Sequence, residues 1–364
     1  MDLPQLQKIE SAYKGKRVFL TGHTGFKGSW LLYWLHRIGA EVKGYALAPE
    51  KPQDLYPQMK GDELCQSIIA DIRDRERLIK EIIDFQPDFV FHLAAQPLVR
   101  RSYEIPEETF SVNVMGTSHV LDAIKELDKP CVGVMITTDK VYENKEQNYA
   151  YRETDRLGGY DPYSASKACA ELVISSYRNS FFNPINYAIH HKSIASARAG
   201  NVIGGGDWAQ DRVIPDIVRA LQKDETVILR NPRAVRPWQH VLDPLFGYLW
   251  LGACLLDNPR DFSEAWNFGP DQEDKRSVKE LANMFIEFWG AGSYEVPDSK
   301  SMIHEAGLLI LDINKSKSKL DWKPLWNSTK AIEKTVSWYK NFITISDVRT
   351  LMNRDLSSYN IEPK

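Results

Sequence analysis

The sequence has little cysteine and no apolar run long enough to cross a membrane. Its 364 residues include four cysteines, and no two of them have the spacing of a metal or redox motif. They are Cys65, Cys131, Cys169 and Cys254. This usage is typical of a reducing compartment. The longest apolar stretch, residues 242–256, is interrupted by Asp243 and Pro244 and is too short to span a bilayer.

The sequence also lacks an excess of charge of either sign. Its 46 Lys and Arg residues and 49 Asp and Glu residues leave a net charge of -3. A nearly neutral chain has no overall field that would attract nucleic acid or an anionic membrane. Residues 1–16 contain no apolar segment of the kind found in signal peptides. We therefore expect a cytoplasmic protein with no nucleic-acid partner, no membrane partner and no metal.

Short apolar runs alternate with longer amphipathic segments over the first 200 residues. The runs are residues 17–20, 41–45, 89–93, 132–137 and 193–197. Each run is apolar on both faces, as a strand covered by helices on both sides must be. Alternation of this kind predicts an α/β fold with a Rossmann-type, doubly wound parallel sheet.

A glycine-rich segment follows the first apolar run. Gly22, Gly25 and Gly28 lie between the predicted strand and a helix that begins near residue 26. Glycines in this context let the chain turn sharply, let the backbone approach a pyrophosphate, and let the helix pack closely on the strand. The helix N-terminus then presents free N–H groups and a positive dipole end to phosphate. The segment predicts a dinucleotide-binding loop.

Tyr163 and Lys167 are four residues apart and therefore share one face of a predicted helix. A free tyrosine is a poor base at neutral pH, but a nearby ammonium and a positive nicotinamide ring favour the phenolate and lower its pKa. The same spacing occurs in Tyr56 and Lys60, which we interpret as loop surface. We prefer Tyr163 because it follows Thr137, which lies at the carboxyl end of a predicted strand, where active sites of open α/β sheets form.

These features resemble the extended short-chain dehydrogenase/reductase superfamily, whose members act on nucleotide sugars. The resemblance implies NAD as the cofactor, but no Asp or Glu ends the second strand, so the residues themselves leave NAD and NADP open. The residues that the resemblance places at the cofactor are Gly22, Thr24, Gly25, Phe26, Lys27, Gly28, Asp71, Ile72, Leu93, Ala94, Ala95, Asn113, Thr137, Tyr163 and Lys167.

The segment Thr138-Asp139-Lys140 resembles the CDP-D-glucose 4,6-dehydratases, as do residues 22–30, 94–100, 198–208, 304–306 and 311–312. The resemblance implies that Asp139 protonates the leaving C6 hydroxyl, Lys140 removes the C5 proton, and Thr138 binds the C4 oxygen. Together with Tyr163 and Lys167 these form the predicted catalytic set. The alternatives are a nucleotide-sugar epimerase, a 4,6-dehydratase acting on another nucleotide sugar, and a non-catalytic dinucleotide-binding regulator.

Six further residues are predicted to contact a nucleotide-sugar substrate. Arg suits a diphosphate because its planar fork donates paired, charge-assisted hydrogen bonds. The predicted residues are Gln96, Arg100, Asn201, Arg219, Arg236 and His240. We expect residues 1–200 to form the dinucleotide-binding domain, with a helix near 241–256 returning to it. Residues 201–364 would form mainly a smaller C-terminal substrate-binding domain, and the resemblance implies a homodimer or homotetramer.

Overall fold

A seven-stranded sheet forms the centre of the fold. The computed structural model describes residues 4–297, 307–345 and 347–361. The sheet strands are β1 (Arg17–Thr21), β2 (Glu41–Ala46), β3 (Gln66–Ile69), β4 (Phe89–His92), β5 (Cys131–Ile136), β6 (Lys192–Ala199) and β7 (Ala265–Phe268). Their order is β7-β6-β5-β4-β1-β2-β3, and all neighbours are parallel. The predicted α/β class and parallel sheet are confirmed.

Helices cover both faces of this sheet. The described helices of the whole chain, some of which pack away from the sheet, are α1 (Pro4–Tyr13), α2 (Phe26–Arg37), α3 (Leu55–Gln58), α4 (Arg75–Phe85), α5 (Val99–Glu104), α6 (Pro106–Phe110), α7 (Gly116–Lys125), α8 (Pro162–Ser180), α9 (Tyr187–His190), α10 (Val213–Gln222), α11 (Leu242–Asp257), α12 (Pro259–Phe262), α13 (Val278–Trp289), α14 (Asn314–Lys319), α15 (Ser328–Phe342) and α16 (Val348–Ile361). Among the described ranges, no helix is both long and apolar enough to cross a membrane.

The strands bury alternate residues in two separate cores. Val18 and Leu20 of β1 face the core that also contains α2 and α11, whereas Phe19 faces the core beneath α4, α7 and α8. Phe89 and Phe91 of β4 follow the first pattern, and Val90 follows the second. Because both faces are covered, β4 and β5 are apolar at nearly every position, which is why the sequence marks them so clearly. Strand β6 is also buried on both faces but carries Ser193, Ser196 and Arg198.

Two sheet strands give no such signal. Strand β3 lies at the edge of the sheet and its side chains are half-buried or exposed, so it forms no continuous apolar run. Strand β7 has four residues, one of them the buried Asn267, and it joins the sheet beside β6 from beyond residue 200. Helix α11 also lies against the sheet, on β5 and β6. The later half of the chain thus contributes to the central layer as well as to the periphery.

The last helix, α16, covers the outer side of α2. The ring of Tyr359 packs edge-on against Trp34 of α2, with centroids 5.9 Å apart. Its hydroxyl donates a hydrogen bond of 2.9 Å to Asp243 at the start of α11. Asp243 also accepts the backbone N–H of Leu325 at 2.7 Å. One buried carboxylate therefore joins α11, α16 and the segment before α15.

The strand order reverses between β1 and β4, which are sequence-distant neighbours in the sheet. The connections leaving these two strands run in opposite directions, and this opens a crevice at their carboxyl ends. The Thr21 hydroxyl accepts hydrogen bonds from the backbone N–H of Leu93 at 3.1 Å and of Ala94 at 3.2 Å. The glycine-rich segment after β1 and the segment after β4 therefore border the same crevice.

Two glycines of the loop allow a direct test of this packing. A Cβ at Gly28 would lie 1.9 Å from the carbonyl oxygen of Gly22, so Gly28→Ala forces backbone apart. A Cβ at Gly25 would lie 3.5 Å from that oxygen, an ordinary contact. We expect Gly28→Ala to lower the free energy of unfolding by about 3 kcal/mol and Gly25→Ala by less than about 1 kcal/mol. Urea denaturation checks both, and equal losses would contradict the argument.

Candidate active site

The glycine-rich loop wraps closely around the start of α2. Gly22 has a φ of +76°, and a Cβ there would lie 2.7 Å from the backbone nitrogen of Ala94. Gly25 is the N-cap of α2 and provides no side-chain cap, so the first N–H groups of the helix lack that internal partner. This arrangement suits a phosphate ligand, because unbonded N–H groups and the positive helix end point the same way.

Helix α8 begins at Asp161, whose side chain accepts the backbone N–H of Ser164 at 2.9 Å. This cap fixes the first turn, which carries Tyr163, and Lys167 follows one turn later on the same face. Both side chains are buried. The Lys167 ammonium donates to the carbonyl of Ile136, the last residue of β5, at 3.3 Å. The pair is thereby held at the carboxyl end of the active-site strand.

The titration of this pair differs from the sequence prediction in one respect. Burial raises the pKa of Tyr163 to about 12, and the Thr138 hydroxyl and Arg212 act in the opposite direction. The expected lowering of the phenol pKa is therefore absent in the protein alone. Burial also lowers the pKa of Lys167 to about 8, against the opposing charge of Glu171. A positive ligand beside Tyr163 would have to supply the rest of the lowering.

Asp139 and Lys140 form a one-turn 3₁₀ helix directly after β5, with Thr138 as its N-cap. Asp139 is fully buried, and its Oδ1 accepts the Thr138 hydroxyl at 3.0 Å and the Lys140 ammonium at 3.0 Å. Its Oδ2 has no hydrogen-bond partner among the described residues and lies beside Gly200. Lys140 remains about a quarter exposed and also donates to the Asn201 side chain at 3.4 Å.

Thr138, Lys140 and Tyr163 border a cleft of about 760 Å³, and the buried Asp139 and Lys167 lie behind its lining. That volume is typical of a site for a small organic ligand. The predicted site residues that line the cleft are Phe26, Lys27, Arg100, Thr137, Thr138, Lys140, Tyr163, Asn201 and Arg236. The structure thus brings residues that are far apart in the sequence to one cavity. Within the described ranges, no group of three or more His, Cys, Asp or Glu side chains is placed to hold a metal ion.

Four basic side chains from separate segments of the chain lie close together at one end of this cleft. Burial lowers the pKa of Lys27 to about 7, and the charges of Lys167, Arg212 and Lys140 add to that effect while Asp139 opposes it. The Lys27 ammonium also donates to the hydroxyl of Tyr248 in α11 at 3.3 Å. The positive charge gathered around Lys27 favours an anionic ligand at this end of the cleft.

Arg212 was missed by the sequence analysis. It lies just before α10, lines the cleft, and pairs with the buried carboxylate of Asp207 at 2.9 Å. It is also close enough to Tyr163 to lower the pKa of that phenol. The only sequence signal is that Asp207 and Arg212 come shortly before an amphipathic helix. That pattern by itself is typical of charged residues on the surface.

Two residues predicted to contact substrate lie elsewhere. His240 is fully buried between the rings of Trp30 and Trp326, and burial lowers its pKa to about 3. Arg219 donates to the backbone carbonyls of Trp208 at 3.1 Å and Ala209 at 3.3 Å, outside the cleft lining. Both predictions are corrected: His240 is a neutral core residue and Arg219 holds the loop that precedes α10.

Other predicted residues support the site by hydrogen bonding to the backbone. The Asn113 side chain accepts from the backbone N–H of Gln96 at 2.9 Å and donates to the Ser166 hydroxyl at 2.8 Å. The Gln96 side chain is in turn bonded to Leu98 and Thr109. These bonds fix the loop after β4 against α8, so Gln96 and Asn113 act on the shape of the crevice.

The remaining predictions concern the adenosine end and two outlying segments. Ile72 is buried against Gly116, and the Asp71 carboxylate pairs with Arg73 at 2.6 Å. Tyr56, interpreted from sequence as loop surface, is buried in α3 and donates to Asp62 at 2.8 Å. That interpretation is wrong, because the aromatic ring packs against His23 beneath the loop. Residues 304–306, part of the resemblance, lie outside the described residues.

Comparison with known proteins agrees with this geometry. The family model described as GDP-mannose 4,6 dehydratase matches residues 19–335. CDP-glucose 4,6-dehydratase of Salmonella typhimurium is 50% identical over 347 residues, which is 95% of this chain and 97% of the relative. UDP-glucose 4-epimerase of Mycoplasma pneumoniae is 26% identical over 75% of this chain and 82% of the relative.

Solved structures show the same fold at lower identity. DesIV, a dTDP-glucose 4,6-dehydratase from Streptomyces venezuelae solved with NAD bound, matches with a TM-score of 0.76 at 24% identity, covering 89% of this chain and 97% of that one. UDP-glucuronic acid 4-epimerase from Bacillus cereus matches with a TM-score of 0.75 at 22% identity, covering 90% and 99%. The chain belongs to the GDP-mannose 4,6 dehydratase family and, with half of its aligned positions identical, to the same family as the Salmonella CDP-glucose 4,6-dehydratase.

Proposed function

We propose that this protein is an NAD-dependent lyase that converts CDP-D-glucose to CDP-4-dehydro-6-deoxy-D-glucose and water. The observation that carries the proposal is the contact between Asp139 and Lys140 at 3.0 Å, directly after β5 and beside Tyr163. An epimerase needs only the Tyr-Lys pair and a hydroxyl. An acid and a base in contact are what an elimination of water requires in addition.

The chain offers a site that fits NAD. The loop from Gly22 to Gly28 and the uncapped start of α2 would hold the pyrophosphate. Leu93, Ala94 and Ala95 border the same crevice, and Asp71 and Ile72 stand beyond β3 for the adenine. When bound, NAD supplies an acceptor for the C4 hydride, a positive charge beside the Tyr163 phenol, and a donor that returns the hydride to C6.

The protein residues would move the protons. Tyr163 takes the proton of the C4 hydroxyl while Thr138 holds the C4 oxygen. Oxidation at C4 acidifies the C5 proton, which Lys140 removes, and Asp139 protonates the C6 hydroxyl so that it leaves as water. The hydride then returns to C6 and Lys140 gives its proton back to C5, so the net change is the loss of one water. The proton that Tyr163 took from the C4 hydroxyl is released, and an equivalent proton from solvent restores Asp139, so every group ends in its starting state.

The substrate diphosphate would lie among the basic groups of the cleft. Arg100, Arg236 and Asn201 line it, and we add Arg212 to this predicted set. The assignment of cytidine rests on the relationship to the Salmonella enzyme. We propose residues 1–200, with α11, as the dinucleotide-binding domain and residues 201–364 as mainly the substrate-binding domain. A cytoplasmic enzyme of this kind would supply deoxyhexose for a bacterial O-antigen or other lipopolysaccharide glycan.

We further propose that the protein is a homodimer or homotetramer. Helices α6 and α7 pack on α8, and this layer exposes Phe110, Met115 and Leu172, the last of which is 59% exposed. Apolar side chains grouped on adjoining helices indicate a surface that a second copy covers.

Following a deuterium label placed at C4 of the substrate tests the proposed reaction. With CDP-glucose deuterated at C4, the proposed lyase should yield a 6-deoxy-4-keto product carrying deuterium at C6, because one bound cofactor takes and returns the same hydride. Mass spectrometry and proton NMR of the product locate the label. Deuterium retained at C4 of an epimer would favour the epimerase. Turnover of a different nucleotide sugar alone would favour the other dehydratases.

Two substitutions separate the roles of the acid and the base. Lys140→Met should slow dehydration by about 10²-fold or more and abolish exchange of deuterium from solvent into C5, because no base remains. Asp139→Asn should slow dehydration similarly but retain that exchange. Lys80→Met, an exposed lysine of α4, is the matched control and should behave as wild type. Dehydration at wild-type rate by Lys140→Met would sink the assignment.

Introducing a charged side chain on the exposed surface of the α6–α8 layer tests the proposed oligomeric state. Leu172→Asp should convert the dimer or tetramer to a smaller species, since a buried unpaired carboxylate opposes association. Sedimentation velocity measures the change. Ile189→Asp is the control, because Ile189 is 81% exposed on α9 outside this layer. A wild-type protein that sediments as a monomer would contradict the proposal.

A further inference from the structure

A buried ion pair lies directly beneath the catalytic centre. Glu171 of α8 and Arg198 of β6 are joined at 2.8 Å, and both side chains are almost fully buried. Glu171 follows Lys167 by four residues and Tyr163 by eight, so all three lie along one face of α8. None of the proposed proton transfers uses Glu171 or Arg198.

Glu171 is bonded to two strands of the sheet. Its Oε1 accepts the hydroxyl of Thr137, the residue immediately after β5, at 2.5 Å. Its Oε2 accepts the hydroxyl of Ser196 at 2.9 Å and a guanidinium N–H of Arg198 at 2.8 Å, both from β6. Lys167 meanwhile bonds the carbonyl of Ile136. Two residues one turn apart on α8 thus hold two consecutive residues at the end of β5.

Arg198 is itself held in place from the other side. One guanidinium nitrogen donates to the Tyr142 hydroxyl at 2.9 Å and to the backbone carbonyl of Glu153 at 3.2 Å. The Tyr142 hydroxyl donates to the Asn267 side chain in β7 at 2.7 Å. Tyr142 lies two residues after Lys140. The network therefore encloses the Thr138–Lys140 turn from both ends.

Stability alone does not require charges at this position. A buried ion pair replaced by apolar side chains of similar volume usually leaves a protein as stable or more stable, whereas loss of one partner leaves a costly unpaired charge. The pair is instead placed where it contacts the catalytic strand and faces the catalytic lysine. A carboxylate here has an effect on the site that apolar packing would not have.

We propose that Glu171 is a positioning residue of the catalytic centre, which fixes the end of β5 to α8 and places a negative charge one helical turn from Lys167 on the same face of α8. This inference rests on the proposed function, in which the Lys167 ammonium supports the Tyr163 phenolate. Arg198 orients the carboxylate through its own bonds to Tyr142 and β6.

The other groups near Lys167 define the expected direction of the pH effect. Glu171 raises the pKa of Lys167, which burial lowers to about 8. His92 of β4 lies near Lys167 but is neutral, because burial, with a smaller contribution from the Lys167 charge, lowers its pKa to about 3. Lys27 is a like charge, and Tyr163, Asp139 and Lys140 lie on the cleft side. Removal of the Glu171 charge should therefore lower the pKa of Lys167 further.

The test uses a double variant, Glu171→Met with Arg198→Met, which leaves no unpaired buried charge. We expect its melting temperature to stay near that of wild type and the alkaline limb of its kcat profile to move down by about one pH unit. kcat at neutral pH should fall by about tenfold, with KM for CDP-glucose little changed. Glu171→Asp keeps the charge but shortens the reach to Thr137, so kcat should fall while the alkaline limb stays in place.

The outcomes separate this inference from the proposed function. A double variant with the wild-type kcat and pH profile would overturn the positioning role, and so would a fall in kcat that accompanies loss of melting temperature with no shift of the alkaline limb. Nitrogen-15 lysine NMR, with Lys167 assigned through Lys167→Arg, follows the same titration without turnover. An inactive wild type would therefore sink the dehydratase proposal, while the shift of Lys167 in the double variant would still decide the role of Glu171.

Discussion

The contact between Gly22 and Gly28 is the constraint on which the rest of the site depends. The start of α2 lies so close to the end of β1 that a single methyl group would overlap backbone. This closeness aligns the N–H groups of the helix with the crevice at the point where the strand order reverses. Gly22 in the same loop also packs directly against the backbone of Ala94. The position of a bound phosphate, and through it of any sugar in the cleft, follows from that one contact.

At the end of the cleft beside Tyr163, several cationic groups lie close to one buried carboxylate. Asp139 is buried and shares its Oδ1 with two donors, while Lys27, Lys140, Lys167 and Arg212 surround it. Such a site stabilises negative charge that develops on a substrate oxygen, as it does when a hydroxyl is oxidised and an adjacent proton is removed. The Tyr-Lys pair is common to enzymes that move hydride on sugars. In the proposed mechanism, the Asp139–Lys140 pair adds the elimination of water.

Much of the fold could be predicted from sequence, because strands buried on both faces, such as β4 and β5, are largely apolar. Strand β3 could not, since its half-exposed edge position removes that pattern, and β7 could not, since it is short and contains Asn267. The loop glycines and the Tyr163–Lys167 spacing were readable because their local geometry is encoded within a few residues.

Residue types alone do not say where a basic side chain points. His240 and Arg219 belong to types that bind phosphate, yet one is enclosed by tryptophan rings and the other bonds backbone carbonyls. Arg212 and Glu171 gave no usable signal, because their surroundings come from strands and helices far apart in sequence. Their roles depend on tertiary contacts that no local pattern specifies.

The packing of α16 on α2 has a consequence for how the chain is made. Helix α2 carries the dinucleotide loop and is synthesised early, but its outer aromatic side is covered by Tyr359. Asp243 likewise gains one of its hydrogen-bond donors only when Tyr359 packs beside it. Trp34 therefore stays uncovered on that side until α16, far along the chain, has been synthesised and packs on α2. The dinucleotide loop thus gains its final support only when two distant parts of the chain are both present.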